Sequence, residues 1–515
     1  MRLKFLFITA IILLAGIARS QQAKKFTRAD TLRGTITAGR AWWDILRYDL
    51  EVKPHYLNKS TEGKNSITYK VISTKNASTL QLDLQEPLII DKILLNGKAS
   101  LSFAKDGNAW LVRMPLQQKG SVHRLDVYYS GKPHEAIRAP WDGGWSFVKD
   151  SLGRPWMTVT CQGLGASIWY PCKDHQSDEP DSGASLTMTV PDSLTAIGNG
   201  RLQSKKINGD GTTTWKWAVV NPISNYCLIP YIGMYKNFSE IYNGENGKLD
   251  INYWVLDYNL EKAKDYMPDQ VHKMFKSFEY WFGPYPFYKD GYQLIETSHT
   301  GMEHQSAVSY GNWYKFGYRQ RDGSGTGWGM KFDFIIIHES GHEWFGNNIS
   351  TKDIADMWVH EGFTNYSETL YTDYIFGTEA GNAYSQGVRK NISNDKPVIG
   401  QYNVNNEGSG DMYAKGSNMI HNIRQIMSDK SAFRSLLRDM NQKFKLKTVT
   451  SKEIEEFISY RTGFNLSKVF DQYLRTVQIP TLEYYLENES GMQVLYYRWA
   501  NCIKGFNMPI LLPGN

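Results

Sequence analysis

The hydrophobic repeat changes period once along this chain, and that change sets the architecture it can adopt. From about Trp42 to Tyr235, apolar and polar residues alternate, as in Tyr48-Asp-Leu-Glu-Val52, Ile67-Thr-Tyr-Lys-Val71, Leu80-Gln-Leu-Asp-Leu84, Leu125-Asp-Val-Tyr-Tyr129 and Ser185-Leu-Thr-Met-Thr-Val190. Successive side chains of a strand point to opposite faces, so a repeat of two marks strands buried on one side. Clusters of Gly, Pro, Asn and Asp punctuate these runs. The segment therefore reads as an all-β domain of meander or sandwich type.

After Tyr242 the period becomes helical. Val271, Met274, Phe275, Phe278 and Phe282 give the stretch from Met267 to Phe282 one apolar face. Pro268 would sit in the first turn of that helix, where a missing N–H costs nothing, and Pro284 and Pro286 would stop it. Tyr292 to Glu296 and Ala307 to Tyr310 read as short strands, and helices dominate from Lys331 to about Thr476. Gly323-Ser-Gly-Thr-Gly-Trp-Gly329 reads as a flexible loop; no strand precedes it in a βαβ unit, so it is not a dinucleotide fingerprint. Strand patterning returns in Thr481 to Leu486 and Val494 to Trp499. The expected organisation is a signal peptide at 1–20, an N-terminal β domain at 21–238, an α+β domain at 239–478 and a short, partial C-terminal β segment at 479–515.

Composition narrows the class. With 41% hydrophobic and 21% charged residues, the chain can bury sizeable cores and is not a disordered tail. The net charge of +6 is spread along the sequence without a Lys/Arg run, which argues against a nucleic-acid partner. The four cysteines show no C-x-x-C spacing, so a cysteine-based zinc or redox site is not expected; one pair could be oxidised. Arg2 and Lys4 precede an apolar run from Phe5 to Ala18, and Ala18-Arg19-Ser20 offers small residues where a signal peptidase reads. That run is shorter than the roughly 20 residues a membrane span needs. It predicts an exported protein, periplasmic or extracellular, with no stable membrane insertion once the signal is cleaved; the alternative is an uncleaved anchor.

Histidine placement carries the chemistry. Five of the 11 histidines fall between His299 and His360, and among them lies His338-Glu339-Ser340-Gly341-His342. Phe332 to Ile337 just before it is apolar enough to be a buried helix. Positions four apart on a helix share a face, so His338 and His342 can hold one metal ion. Imidazoles suit zinc, whose catalytic sites take three protein ligands and leave a position for water. Glu339 between them can act as a base toward that water. Nineteen positions after His342 comes Glu361, which would approach from a neighbouring helix as third ligand. His360 is adjacent, but consecutive helical residues diverge by about 100°, so it is read as supporting or structural.

With these residues in place, the chain resembles the zinc aminopeptidases of the aminopeptidase N type, which include leukotriene hydrolase. Their zinc signature is H-E-x-x-H, eighteen intervening residues and Glu. Here that is His338, Glu339, His342 and Glu361-Gly362-Phe363, with His360 in place of the usual Asn. The G-x-M-E-N signature is matched by Thr300-Gly301-Met302-Glu303-His304. The resemblance implies that Glu303 binds the substrate's α-ammonium, a charge-assisted contact an exopeptidase needs in any case. Gly301 would allow close backbone approach, and a strand through Gly301 and Met302 could pair with the peptide. Asp411-Met-Tyr413-Ala-Lys-Gly416 resembles the segment whose tyrosine stabilises the oxyanion, which assigns that part to Tyr413. Thr160-Cys-Gln162-Gly163, followed by Tyr170-Pro-Cys-Lys-Asp174, resembles the segment that sends Gln162 from the β domain to the substrate's first residue. Some relatives carry a second amine-binding Glu where this chain has Leu164.

The resemblance implies an N-terminal β saddle, a thermolysin-like catalytic domain, one zinc ion per chain and peptide substrates with a free N-terminus. Family members continue through a full β-sandwich, so the C-terminal segment is expected to be either a small domain or a truncated one, with exposed strand edges. Two other readings use the same residues: a zinc endopeptidase, and a non-catalytic peptide-binding protein. Epoxide hydrolysis, known in one branch of the family, has no independent support in the sequence.

Overall fold

The computed structural model describes residues 25–510. The expected signal peptide and the last five residues lie outside them.

The alternating N-terminal segment folds into three sheets around one core. The largest has eight strands, centred on the antiparallel pair Trp43–His55 and Ser60–Val71. Ala184–Pro191 lies parallel to the first of these, with Tyr48 opposite Ala184. A four-stranded sheet contains Gly144–Lys149, Pro155–Thr160, Thr195–Ile197 and Tyr231–Gly233, and a three-stranded one contains Thr79–Asp83, Phe103–Asp106 and Ala109–Arg113. Trp42, Trp43, Trp145 and Trp169 are fully buried between them. All five runs expected from alternation overlap observed strands, with only Leu84 falling one residue past its strand.

The second body opens with a mixed five-stranded sheet. Its order is Tyr235–Gly244, Gly247–Leu256, Tyr292–Glu296, Val308–Tyr310 and Gly301–Met302, so Gly301–Met302 is an edge strand. The strand Tyr235–Gly244 runs across the expected division at 238/239 and belongs wholly to this sheet.

Helix α1 is Arg28–Gly34, ahead of the first strand and capped by Thr27. The other helices pack on the second sheet and on one another: α2 Leu260–Phe282, α3 Phe334–Gly341, α4 Trp358–Phe376, α5 Thr378–Val388, α6 Ala414–Met427, α7 Lys430–Lys443, α8 Ser451–Thr462 and α9 Ser467–Arg475.

Two local expectations need correcting. α2 begins at Leu260, not Met267, so Pro268 lies inside the helix. An interior proline costs about 3 kcal/mol, but the buried face runs through Ala263, Met267, Val271, Met274, Phe275 and Phe278, and packing of that stripe outweighs the lost bond. The glycine-rich segment after Asp322 is not a loose loop: the Asp322 carboxylate accepts from the backbone N–H of Ser324 (2.9 Å) and Gly327 (2.6 Å). All four cysteines are free thiols.

The C-terminal segment forms one hairpin, Thr481–Glu489 with Met492–Ala500. Tyr484, Tyr485, Leu486 and Met492 are exposed on it. Beyond the hairpin, Phe506 and Met508 return to the helical core. No helix among the described residues is long and apolar enough to cross a membrane.

Packing of this kind predicts an asymmetric response to truncation. Phe278→Ala, at a site with no exposure, should cost about 3–5 kcal/mol, whereas Tyr484→Ala, 66% exposed, should stay within about 0.5 kcal/mol; urea unfolding midpoints of the two variants measure the difference.

Candidate active site

α3 starts where Asp333 caps it, accepting from the Ile336 N–H at 3.1 Å. Its buried Ile335, Ile336 and Ile337 hold it in the core. One turn on, His338 and His342 project to the same side, with ring centroids 5.1 Å apart and the planes nearly perpendicular. α4 crosses alongside and brings Glu361 to them. Its Oε2 lies 3.3 Å from His342 Nε2 and 3.7 Å from His338 Nε2. The ligand atoms of all three residues lie within 4.8 Å of one another.

The far side of each ring is already committed. His338 Nδ1 bonds Glu368 Oε1 at 2.7 Å, and His342 Nδ1 faces the Phe345 carbonyl at 3.0 Å and Thr364 Oγ1 at 3.1 Å. Both Nε2 atoms are thereby turned to one point. Glu361 Oε2 is buried there with no hydrogen-bond donor. Burial opposes its charge, yet the imidazoles of His342 and His338 hold the Glu361 carboxyl well below its usual range. Two imidazole nitrogens and an unsatisfied carboxylate oxygen are a donor set suited to a tetrahedral divalent ion with one open position.

Glu339, between the histidines, faces the same cleft. Burial, with the neighbouring Glu303 and Glu361 charges, pushes its carboxyl up to about 7. A Cβ on Gly301 would lie 2.6 Å from Glu339 Oε1, so only glycine lets the edge strand pass this close to α3. Glu303, at the end of that strand, accepts from Gln162 Nε2 at 2.7 Å and from the Tyr226 hydroxyl at 3.0 Å. Its backbone carbonyl accepts from Asn347 Nδ2 at 2.8 Å. Burial raises its carboxyl above the usual range. Ligand atoms of Glu303, Glu339 and His342 also lie within 4.8 Å of one another. Gln162 reaches in from the β domain and touches Glu361 Oε1 as well, at 3.1 Å.

Tyr413 stands at the start of α6, with its ring stacked at 6.1 Å from that of His338. It arrives there because α4 and α6 nearly touch. A Cβ on Gly362 would lie 3.2 Å from the Met412 carbonyl oxygen, and one on Gly416 would lie 3.1 Å from Gly362 Cα. Burial and the Glu361 charge raise the Tyr413 phenol well above its usual range, so it stays a donor. These groups line one cleft of about 890 Å³ between the two bodies, with Met302, Leu164, Trp141 and Glu407 on its walls.

The structure thus brings together every residue singled out from the sequence: Gln162, Gly301, Met302, Glu303, His338, Glu339, His342, Glu361 and Tyr413. His360 points elsewhere, its Nε2 on Thr351 Oγ1 at 3.2 Å, and burial takes its pKa down to about 3. His304 bonds Tyr231 and Ser309, so it packs the strand rather than lining the site. Sequence reasoning missed Tyr226, Glu407 and Glu368. Glu368 had a signal: it lies two helical turns after Glu361, on the same face of α4.

Residues 45–227 match the Peptidase M1 N-terminal domain and residues 266–473 the Peptidase family M1 domain. The chain belongs to the M1 peptidase family. Aminopeptidase N of Lactobacillus helveticus is 21% identical over 87% of this chain and 52% of its own length. Aminopeptidase B of Mus musculus is 22% identical over 61% of this chain and 47% of its own. The chain spans about half the length of the curated relatives it matches. The crystal structure of an M1 zinc metallopeptidase from Deinococcus radiodurans shares the fold with a TM-score of 0.72, at 19% identity, over 86% of this chain and 96% of that one. A mutant of that protein, with the same overlap, was crystallised with a Tyr-Ser-Ala substrate. The M1 fold here comprises the N-terminal β-sheet domain, the α+β domain and the short C-terminal hairpin.

Removing the brace on one ligand should loosen the ion. Glu368→Ala is expected to weaken zinc affinity by about 10–100-fold, read by competition with a chromophoric chelator; unchanged affinity would mean that Glu368 does not orient His338.

Proposed function

We propose that this protein is an exported zinc aminopeptidase. The observation that carries the reading is the spacing of Glu303 from Glu339 and His342, whose ligand atoms lie within 4.8 Å of one another. One residue of extended chain spans about 3.3–3.6 Å. A peptide whose terminal ammonium docks on Glu303 therefore presents its first carbonyl to Glu339 and carries its second past it.

Zinc held by His338, His342 and Glu361 would polarise the attacking water and the scissile carbonyl. Glu339 takes the proton of that water and returns it to the leaving amine. Tyr413 donates its phenolic hydrogen where charge develops on the carbonyl oxygen, a contact worth about 3–4 kcal/mol. Glu303, held by Tyr226 and Gln162, binds the ammonium. The outer side of the Gly301–Met302 edge strand offers backbone groups to the peptide chain. Export rests on the basic residues, apolar run and small-residue site of the first twenty positions, outside the described residues; N-terminal sequencing of protein recovered outside the cytoplasm tests it.

Two measurements test the reaction. Glu339→Gln should lower kcat by about 100-fold or more while the zinc content stays at one per chain; an active variant removes the residue from the mechanism. Peptides with free N-termini should be cut and their N-acetylated counterparts left intact, since acetylation removes the charge Glu303 binds. Equal cleavage of both would favour the endopeptidase reading, and cleavage of neither by zinc-loaded protein would favour a peptide-binding role.

A further inference from the structure

Gln162 reaches the centre from a turn, and the turn is held by a segment that precedes the first strand of the β domain. Residues 161–165 leave the strand Pro155–Thr160 with Gly163 at φ 74° and Gly165 at φ 90°. Backbone in these conformations is not set by its own sheet. The Cys161, Gln162 and Gly165 carbonyls accept from the backbone N–H groups of Gly165, Leu164 and Ile168, whereas those of Gly163 and Leu164 are taken by side chains. Leu164 O accepts from Gln85 Nε2 at 2.8 Å and from the Arg33 guanidinium. Gly163 O accepts from Arg33 Nη2 at 3.4 Å and from Asn405 Nδ2 at 3.2 Å.

Arg33 lies on α1 and also pairs with the buried Asp174 at 3.1 Å. Its approach depends on Gly165, where a Cβ would fall 2.0 Å from Arg33 Nη2. α1 is itself fixed at its end. Arg40 Nη1 donates to the carbonyls of Arg33 (3.0 Å) and Thr35 (2.8 Å), and Thr35 Oγ1 donates to the carbonyl of Asn403 at 2.8 Å. The segment therefore ties the Gln162 turn of the β domain to the 403–405 loop of the catalytic domain.

We propose that Arg33 is a positioning residue for substrate binding: its guanidinium, set between Asp174 and the Gly163 and Leu164 carbonyls, fixes the turn that presents Gln162 to Glu303 and Glu361. The proposal rests on the aminopeptidase reading for its kinetic consequence, but the clamp itself can be tested without turnover. A planar guanidinium presents its donors to several acceptors in a fixed fork, whereas a lysine ammonium is a compact point charge without that geometry. Arg33→Lys should keep the ion pair with Asp174 and lose part of the grip on the turn.

The experiment combines hydrogen exchange with a double-mutant cycle. In Arg33→Ala and Arg33→Lys, amide exchange across 162–165 should rise, most in the alanine variant, while that of α3 stays as in the parent. With an aminoacyl-coumarin substrate, Arg33→Ala should raise KM by about tenfold and leave kcat within about threefold. Added to Gln162→Ala, it should have no further effect on KM, because its influence passes through Gln162. Unchanged exchange in the turn overturns the clamp whether or not the protein cleaves peptides. A KM penalty as large in the Gln162→Ala background as in the parent, or a fall confined to kcat, overturns the positioning role. Absence of cleavage by the parent itself falls on the aminopeptidase reading, and the exchange data then still decide the clamp.

Discussion

A carboxylate oxygen buried without a donor is costly unless something positive meets it. Glu361 Oε2 is such an atom, and what faces it is a pair of imidazole nitrogens. The fold spends much of its local order on keeping this arrangement. Glu368 holds one ring, Thr364 and the Phe345 carbonyl face the other, and the apolar body of α3 fixes the spacing between them. A divalent cation would meet the unsatisfied charge, and in the proposed reaction the neighbouring carboxylates of Glu339 and Glu303 have separate tasks set by their positions.

The site is shared between domains in an uneven way. α3, α4 and α6 carry the residues proposed as ligands, base and phenol donor, and all three helices sit in one core. The β domain contributes Gln162, with Tyr226 behind Glu303. These two contacts lie at the end of the cleft where a chain terminus would be recognised. In the proposed reaction the chemistry would be built within the α+β domain, while the limit on where a peptide is cut would depend on the seam between the two.

Local features of this arrangement were legible in the sequence. His338, Glu339 and His342 lie within one helical turn, and alternation marked the β-domain strands. Glu361 was read from its place nineteen positions after His342, whereas Glu303, Tyr413 and Gln162 were found through family motifs, because their meeting depends on crossings that no periodicity encodes. The α4–α6 contact through Gly362 and Gly416 is one such crossing. Tyr226 was not legible, since it meets Glu303 from 77 residues away and is one of 32 tyrosines. Pro268 misled the placement of α2 because local propensity favoured a helix start and tertiary packing favoured a longer helix. α1 carried no amphipathic signal: none of its residues is buried, and its anchoring is polar.

The central claim is the convergence of three side chains on one ion, and anomalous diffraction from a zinc-loaded crystal at the zinc absorption edge tests it most directly. The account predicts one strong peak about 2.0–2.2 Å from His338 Nε2, His342 Nε2 and a Glu361 oxygen. A zinc-loaded crystal with its peak elsewhere, or with Glu361 turned away from the metal, would contradict it.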